Sequence, residues 1–350
     1  MVTMPKAQGG LGIKNLHLHN KAMMANLTAK LLSTGTGPCF TWLANWYLQD
    51  TIPLHPSTTD SAFWKPIMKL IHVVQQTTRC IPQDGSRTSF WHDNWTGLGR
   101  LNDALPILFT YAQDQQCTVK SQKLNGNWDI KLHSPLSHLA EEQLQALMTE
   151  LLNHQAQAQL QQDTRLMNVT NKTTTTRDYY HLFCDRGMRW IPAKWIWRSA
   201  IPHRHKVFLW LAFRRRLNTK DNMANKQWGN DSGCDQCPAL ESFEHISLHC
   251  RQASWVWEKL NIAHTAARTN DLVEFVESTI SGKDSKTWPL LLAICFLQLW
   301  YARNNRIFNN RSTNRQALFG NINQTLDLWA TRSIKLAPEL VKWKQKFLLD

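Results

Sequence analysis

The sequence predicts a mainly α-helical protein with a few short β-strands or hairpins and a zinc-stabilised Cys-Cys-His-Cys segment in its C-terminal half. Three observations carry this expectation. Apolar residues recur at three- and four-residue spacing through several long windows, the period of a helix that buries one face. Stretches with strand or turn character are short and isolated. Of eight cysteines, Cys234, Cys237 and Cys250 cluster with His245, while the other five are scattered.

The elements follow in order. Pro5 to Ile13 is a glycine-punctuated loop; it lacks the preceding strand and wider glycine spacing of a phosphate-binding turn. Asn15 then caps a helix that runs to Leu32. Ala62 to Val74 places Phe63, Trp64, Ile67, Leu70, Ile71 and Val74 at helical spacing, which makes it core. Asp84-Gly85 is a tight turn, and Thr88 to Trp91 a short strand leading into His92-Asp93-Asn94-Trp95. Adjacent strand residues point to opposite faces, so His92 and Asp93 are read as structural rather than catalytic.

Glu141 to Gln162 is a glutamine-rich helix with an apolar stripe of Leu144, Leu147, Leu151 and Leu152. The threonine-rich stretch Asn168 to Thr176 breaks that pattern and is expected to be a linker. Further helices are expected over His203–Arg216, Ala253–Leu260, Leu290–Phe308 and Ile322–Ile334. The resulting organisation is 1–167, a linker at 168–176, a zinc-binding domain over 177–265, and a basic helical region over 266–350.

The chain has 350 residues, 43% of them hydrophobic and 19% charged, which suits a globular fold. Its formal net charge of +14 favours a polyanionic partner. The first sixteen residues contain no continuous apolar segment, and Leu290 to Ala302 is too short to span a bilayer. A soluble, intracellular protein without a membrane partner is therefore expected. In such a compartment clustered cysteines signal metal before disulfide.

Cys234-x2-Cys237 sets two thiols across a turn, and His245 and Cys250 close a tetrahedral set from the next segment. Three thiolates and an imidazole suit one Zn²⁺ ion. With all four positions filled no site remains for water, so the ion is expected to be structural. His249 and Glu244 remain alternatives to His245, and a redox Cys-x-x-Cys is weakened by the absence of a βαβ pattern.

From Arg186 to Lys226 a dense basic run is opposed only by Asp221, with Trp195, Trp197, Trp210 and Trp228 interleaved. Such a run releases counterions on binding a phosphate backbone. Arg204, Lys206, Arg214, Arg215, Arg216 and Lys220 are the expected contacts to RNA or DNA, joined by Arg303 and Arg306 from a second basic region. Trp210 lies among apolar neighbours and is read as core. No Asp-Asp pair occurs anywhere, so no residue is assigned to metal-dependent polymerase chemistry and none to catalysis.

Several motifs occur in a specific order: Gly9-Gly10-Leu11-Gly12-Ile13, Ser89 to Trp95, Ile201-Pro202 through Lys206 to Leu211, Arg216 to Asn222, Cys234 to Cys250, and Trp300 to Phe308. In this order the chain resembles the C-terminal part of a plant non-LTR (LINE-type) retrotransposon reverse transcriptase, including its zinc-binding domain, along nearly its whole length. The resemblance implies a nuclear protein that holds template or target while a separate polymerase part, absent here, does the chemistry. The expectation is a truncated, non-catalytic nucleic-acid-binding module. The alternatives are a zinc-dependent protein-interaction module and a retrotransposon fragment without a function.

Overall fold

The computed structural model describes residues 2–348 except 34–36, 49–50, 54, 125, 155–162, 230, 282–286 and 333–334. It is mainly helical with a few short strands, as expected. The chain divides into two compact units, Lys14–Asp185 and Met1–Ile13 with Arg186–Asp350.

In the unit Lys14–Asp185, helix Leu16–Leu31 starts where the Asn15 side chain accepts a hydrogen bond from the Leu18 N–H at 3.2 Å. Ala22, Ala25 and Ala29 are buried along it, and such small residues let helices Trp64–Thr77 and Thr176–Cys184 approach closely. Trp64, Ile67, Leu70, Ile71 and Val74 fill the core as their spacing predicts. Phe63 instead lies just before the helix and is half exposed.

A four-stranded sheet has the order Gly99–Arg100, Asn94–Thr96, Thr78–Ile81, Thr164–Met167. The pair at its centre is parallel, with Arg79 opposite Asn94, whereas Thr78–Ile81 runs antiparallel to Thr164–Met167. Of the strand expected at Thr88–Trp91 the pairing is confined to an antiparallel bridge between Ser89 and Thr118; turns follow it, and the next strand begins at Asn94. Phe90 and Trp91 are both fully buried, which two neighbours on one strand of a half-solvated sheet cannot achieve. The Trp95 indole closes the turn by donating to the Phe90 carbonyl at 2.9 Å.

Asp93 is structural, as its sequence context suggested. It receives Arg165 in a bidentate pair, Nη1 to Oδ1 at 2.7 Å and Nη2 to Oδ2 at 2.5 Å, with both side chains buried. Burial works against the Arg165 charge, but the Asp93 carboxylate outweighs it and holds the guanidinium pKa above its ordinary value. Arg165 also donates to the carbonyls of Leu32 and Arg87, so the buried charge is satisfied on several sides.

The expected linker at 168–176 is an ordered turn inside this unit. Asn168 N donates to Thr77 O at 3.0 Å and Met167 N to Lys172 O at 2.8 Å, and Thr175 forms a capping box with Asp178. Its polar residues end a strand and start a helix, and the division between units falls after Asp185. The glutamine-rich helix covers His138–His154; the expected continuation to Gln162 lies outside the described residues. Leu147 and Leu151 are buried but Leu152 is exposed, because it sits one position off their face.

The second unit is built around helix Trp288–Asn309. Every residue from Leu290 to Leu299 is buried, so this apolar run is a core helix surrounded by others. Helices His203–Phe213, Arg251–Lys259, Leu272–Ile280 and Arg315–Arg332 pack on it. No helix among the described residues is long and apolar enough to cross a membrane. Helix Arg315–Arg332 contains most of the predicted Ile322–Ile334 segment, whose last two residues lie outside the described set.

The N-terminal glycine loop belongs to this unit. Gly9 O accepts from the Trp210 indole at 2.9 Å and from Arg214 Nη2 at 2.9 Å, and the Arg214 guanidinium lies 4.7 Å above the Trp190 ring. Gly9 has φ +84°, and a Cβ there would fall 1.5 Å from Arg214 Nη2. Gly9→Ala is expected to destabilise this unit by about 1–3 kcal/mol through strain and displacement of Arg214. A lowered urea midpoint checks it; an unchanged midpoint would show that the loop is not held by these interactions.

Candidate metal centre and basic surface

The chain from Ser232 to Glu241 folds back on itself: Glu241 N donates to Ser232 O, Cys234 N to Ala239 O, and Ala239 N to Cys237 O, all at 2.8 Å. Gln236 N points to Cys234 Sγ at 3.5 Å. This tight turn brings Cys234 and Cys237 to one side. One turn of π-helix, His245–His249, follows, closed by Cys250 N donating to His245 O at 2.8 Å. Its extra residue carries the chain from His245 to Cys250, which caps helix Arg251–Lys259.

The structure brings the four residues together: one ligand atom from each of Cys234, Cys237, His245 and Cys250 lies within 4.8 Å of the others, so the cluster could hold a metal ion. Sulfurs bound to tetrahedral zinc at about 2.3 Å are about 3.8 Å apart. Cys237 Sγ and Cys250 Sγ are 3.8 Å apart, and Cys234 Sγ and Cys250 Sγ 4.0 Å. His245 Nε2 is buried without a hydrogen-bond partner. Burial, with His249 nearby, lowers the His245 pKa and so favours the neutral imidazole that ligates metals. Burial, with the other two cysteines, pushes the Cys250 thiol up to about 12, so this sulfur is poorly accommodated as a bare thiolate. The donor set and its spacing fit a Zn²⁺ ion.

Both alternatives to His245 lie elsewhere. His249 is exposed, and Glu244 accepts a hydrogen bond from Arg215 Nε at 2.5 Å.

The turn is tied to the helices around it by charge. Lys220 Nζ donates to Asp231 at 2.7 Å and to Asp235 at 2.5 Å, and Arg306 Nε lies 3.6 Å from Asp235. Burial opposes the Lys220 charge, but its two carboxylate partners raise its pKa overall. Deeper in, Arg303 donates to Glu241 Oε1 from Nε at 3.0 Å and from Nη2 at 2.5 Å, with the Arg303 side chain 1% and the Glu241 side chain 0% exposed. The Lys220 N–H reaches the same oxygen at 3.1 Å. The guanidinium of Arg303 also stacks on Trp300.

The eight cations expected to contact nucleic acid therefore separate. Arg204, Arg215 and Arg216 are exposed. Arg303, contrary to expectation, is not available to a partner, since a buried guanidinium paired with Glu241 cannot reach a phosphate. Lys206 donates to the Trp197 carbonyl at 3.0 Å, and Arg214, Lys220 and Arg306 are part-buried against the protein partners described above. Trp210 is buried, as read from its neighbours. Sequence reasoning missed Asp231, Asp235 and Glu241, the three carboxylates that fasten the turn. Their position beside the cysteines was visible, but the distant partner of Glu241 was not.

Comparison with known proteins reaches the same segment. Residues 175–257 match the family described as zinc-binding in reverse transcriptase, a span that includes all four quartet residues. The chain is 23% identical over 333 residues to an Arabidopsis thaliana protein named "Putative ribonuclease H protein", an alignment covering 89% of this chain and 52% of the relative. The chain thus spans about half the length of the curated relative it matches. No solved structure matches. The zinc-binding match and this homology agree with a retrotransposon-derived protein.

Proposed function

We propose that the unit formed by Met1–Ile13 and Arg186–Asp350 is a zinc-stabilised module that binds RNA or DNA for a retrotransposon reverse transcriptase of the LINE type. Cys234, Cys237, His245 and Cys250 would hold one Zn²⁺ ion, which supplies structural cross-linking and no chemistry on a substrate. The module binds and positions nucleic acid without catalysis of its own, and the polymerase part of such a protein is its natural companion.

One observation carries the reading. The unit with the quartet has 26 Lys and Arg against 13 Asp and Glu, whereas Lys14–Asp185 has 14 against 13. The excess positive charge thus resides almost wholly in the zinc-bearing unit. Arg186, Arg189, Lys194, Arg198, Arg204 and Arg216 are exposed there and have no carboxylate partner among the described residues. Trp228 is 68% exposed with Lys226 Nζ 4.7 Å above one face, an arrangement suited to stacking on an unpaired base.

The protein-interaction alternative has less support. It calls for an extended exposed aromatic patch, and among the tryptophans from Trp190 to Trp228 only Trp228 is strongly exposed.

Affinity for RNA or DNA is expected to fall steeply with salt. Replacing Arg204 and Arg216 together by Ala should lower the magnitude of the log–log salt slope by about one for each phosphate that is no longer neutralised. Arg214 is left intact because it holds the Gly9 loop. Anisotropy titrations over a range of salt concentrations measure this, and salt-independent binding, or none at low salt, overturns the reading.

A further inference from the structure

A cavity of about 160 Å³ opens beside helix Lys220–Asn225, and its last wall, Phe243 and Glu244, runs directly into His245. Leu217 and Phe243 supply apolar surface, while Arg215, Asp221, Asn225 and Glu244 supply polar groups. A cavity of about 150 Å³ is enough to enclose benzene, so this one accommodates a single six-membered ring.

Its electrostatics define what that ring must carry. Arg215 Nε is already engaged with Glu244 Oε1. Asp221 Oδ1 accepts from the Thr219 hydroxyl and from Asn222 N. The second oxygen of each carboxylate has no hydrogen-bond partner among the described residues. With two carboxylates and one guanidinium the lining is net negative and repels a phosphate, which offers only acceptors. They suit a neutral group with N–H donors, and the Asn225 amide can donate to an acceptor on the same ring. The surroundings of the cavity are cationic and aromatic, with Arg216, Lys226 and Trp228 exposed along the same segment.

We infer that this cavity takes the base of a single unpaired cytosine, its N4 amino group facing Asp221 and Glu244. Carboxylate acceptance from cytosine N4 is a standard base-edge pairing. Uracil and thymine place a carbonyl where the amine would be, against the carboxylates, and a purine exceeds one ring. The inference rests on the nucleic-acid-binding reading and adds a base preference to it.

The test measures anisotropy of fluorescently labelled single strands, oligo(dC) and oligo(dT) of equal length, at slightly alkaline pH and low salt. The wild type is expected to bind oligo(dC) about tenfold more tightly, within the discrimination of one good base-edge pair. Glu244→Gln should abolish that preference while leaving oligo(dT) affinity unchanged or raised, since it frees Arg215. Zinc content, measured beside it, reports whether the variant is folded. Asp221→Asn is the second variant and should act in the same direction. Equal affinity of the wild type for both strands, with steep salt dependence retained, overturns the cytosine site and leaves the nucleic-acid reading standing. Absence of binding to either strand overturns both.

Discussion

Cys237→Ser is expected to abolish stoichiometric zinc binding and to unfold the segment from Ser232 to Cys250. A serine hydroxyl neither ionises near neutral pH nor matches the thiolate as a zinc ligand, so the ion would be left with three donors. In isolated zinc-finger peptides a structural ion is worth on the order of 10 kcal/mol of apparent folding free energy. Here the surrounding helices retain their own core, so the loss should be graded: the turn and the π-helical step disorder first. With them go the anchors that Asp231, Asp235 and Glu241 provide to Lys220, Arg306 and Arg303. Metal analysis should find one zinc per wild-type chain and little in the variant, and thermal melts followed by circular dichroism should shift strongly downward. Unchanged zinc content would refute this ligand set. Loss of zinc with an unchanged melt would show that the ion does not stabilise the fold.

Arg303→Ala is expected to destabilise the same unit by about 3–5 kcal/mol, because it leaves Glu241 as an unpaired charge in a dry environment. One Glu241 oxygen, Oε2, already lacks a hydrogen-bond partner, so nothing nearby compensates. Replacing both partners by apolar residues, Arg303→Met with Glu241→Leu, should recover much of the loss, limited by the Lys220 N–H that also donates to Glu241. Urea unfolding of the two single variants and the double variant measures the coupling. An Arg303→Ala protein of wild-type stability that binds nucleic acid less well would return Arg303 to the surface and refute the buried pair.

These two expectations differ in where they came from. The metal ligands were legible in the sequence because zinc coordination by a turn is local: a Cys-x-x-Cys spacing nearly dictates that two sulfurs can meet one ion. The choice of His245 over His249 and Glu244 was less legible. It depends on a single π-helical turn and on Arg215 engaging Glu244. The helices were legible for a similar reason, since apolar periodicity reports burial of one face within a contiguous segment. At Thr88–Trp91 and at Asn168–Thr176, by contrast, the local pattern was overruled by partners far along the chain. Phe90 and Trp91 both enter the core, and Asn168 is held by the Thr77 carbonyl.

The sequence by itself thus determined the mainly helical class, the candidate ligands of the metal centre and the positive sign of the charge, because these follow from composition and short-range spacing. Only the tertiary structure decided which cations are available to a partner. A guanidinium looks the same in sequence whether it stands in water, like Arg216, or pairs in the interior with Glu241, 62 positions away, like Arg303. That distinction depends on desolvation and long-range pairing, which exist only once the chain has folded.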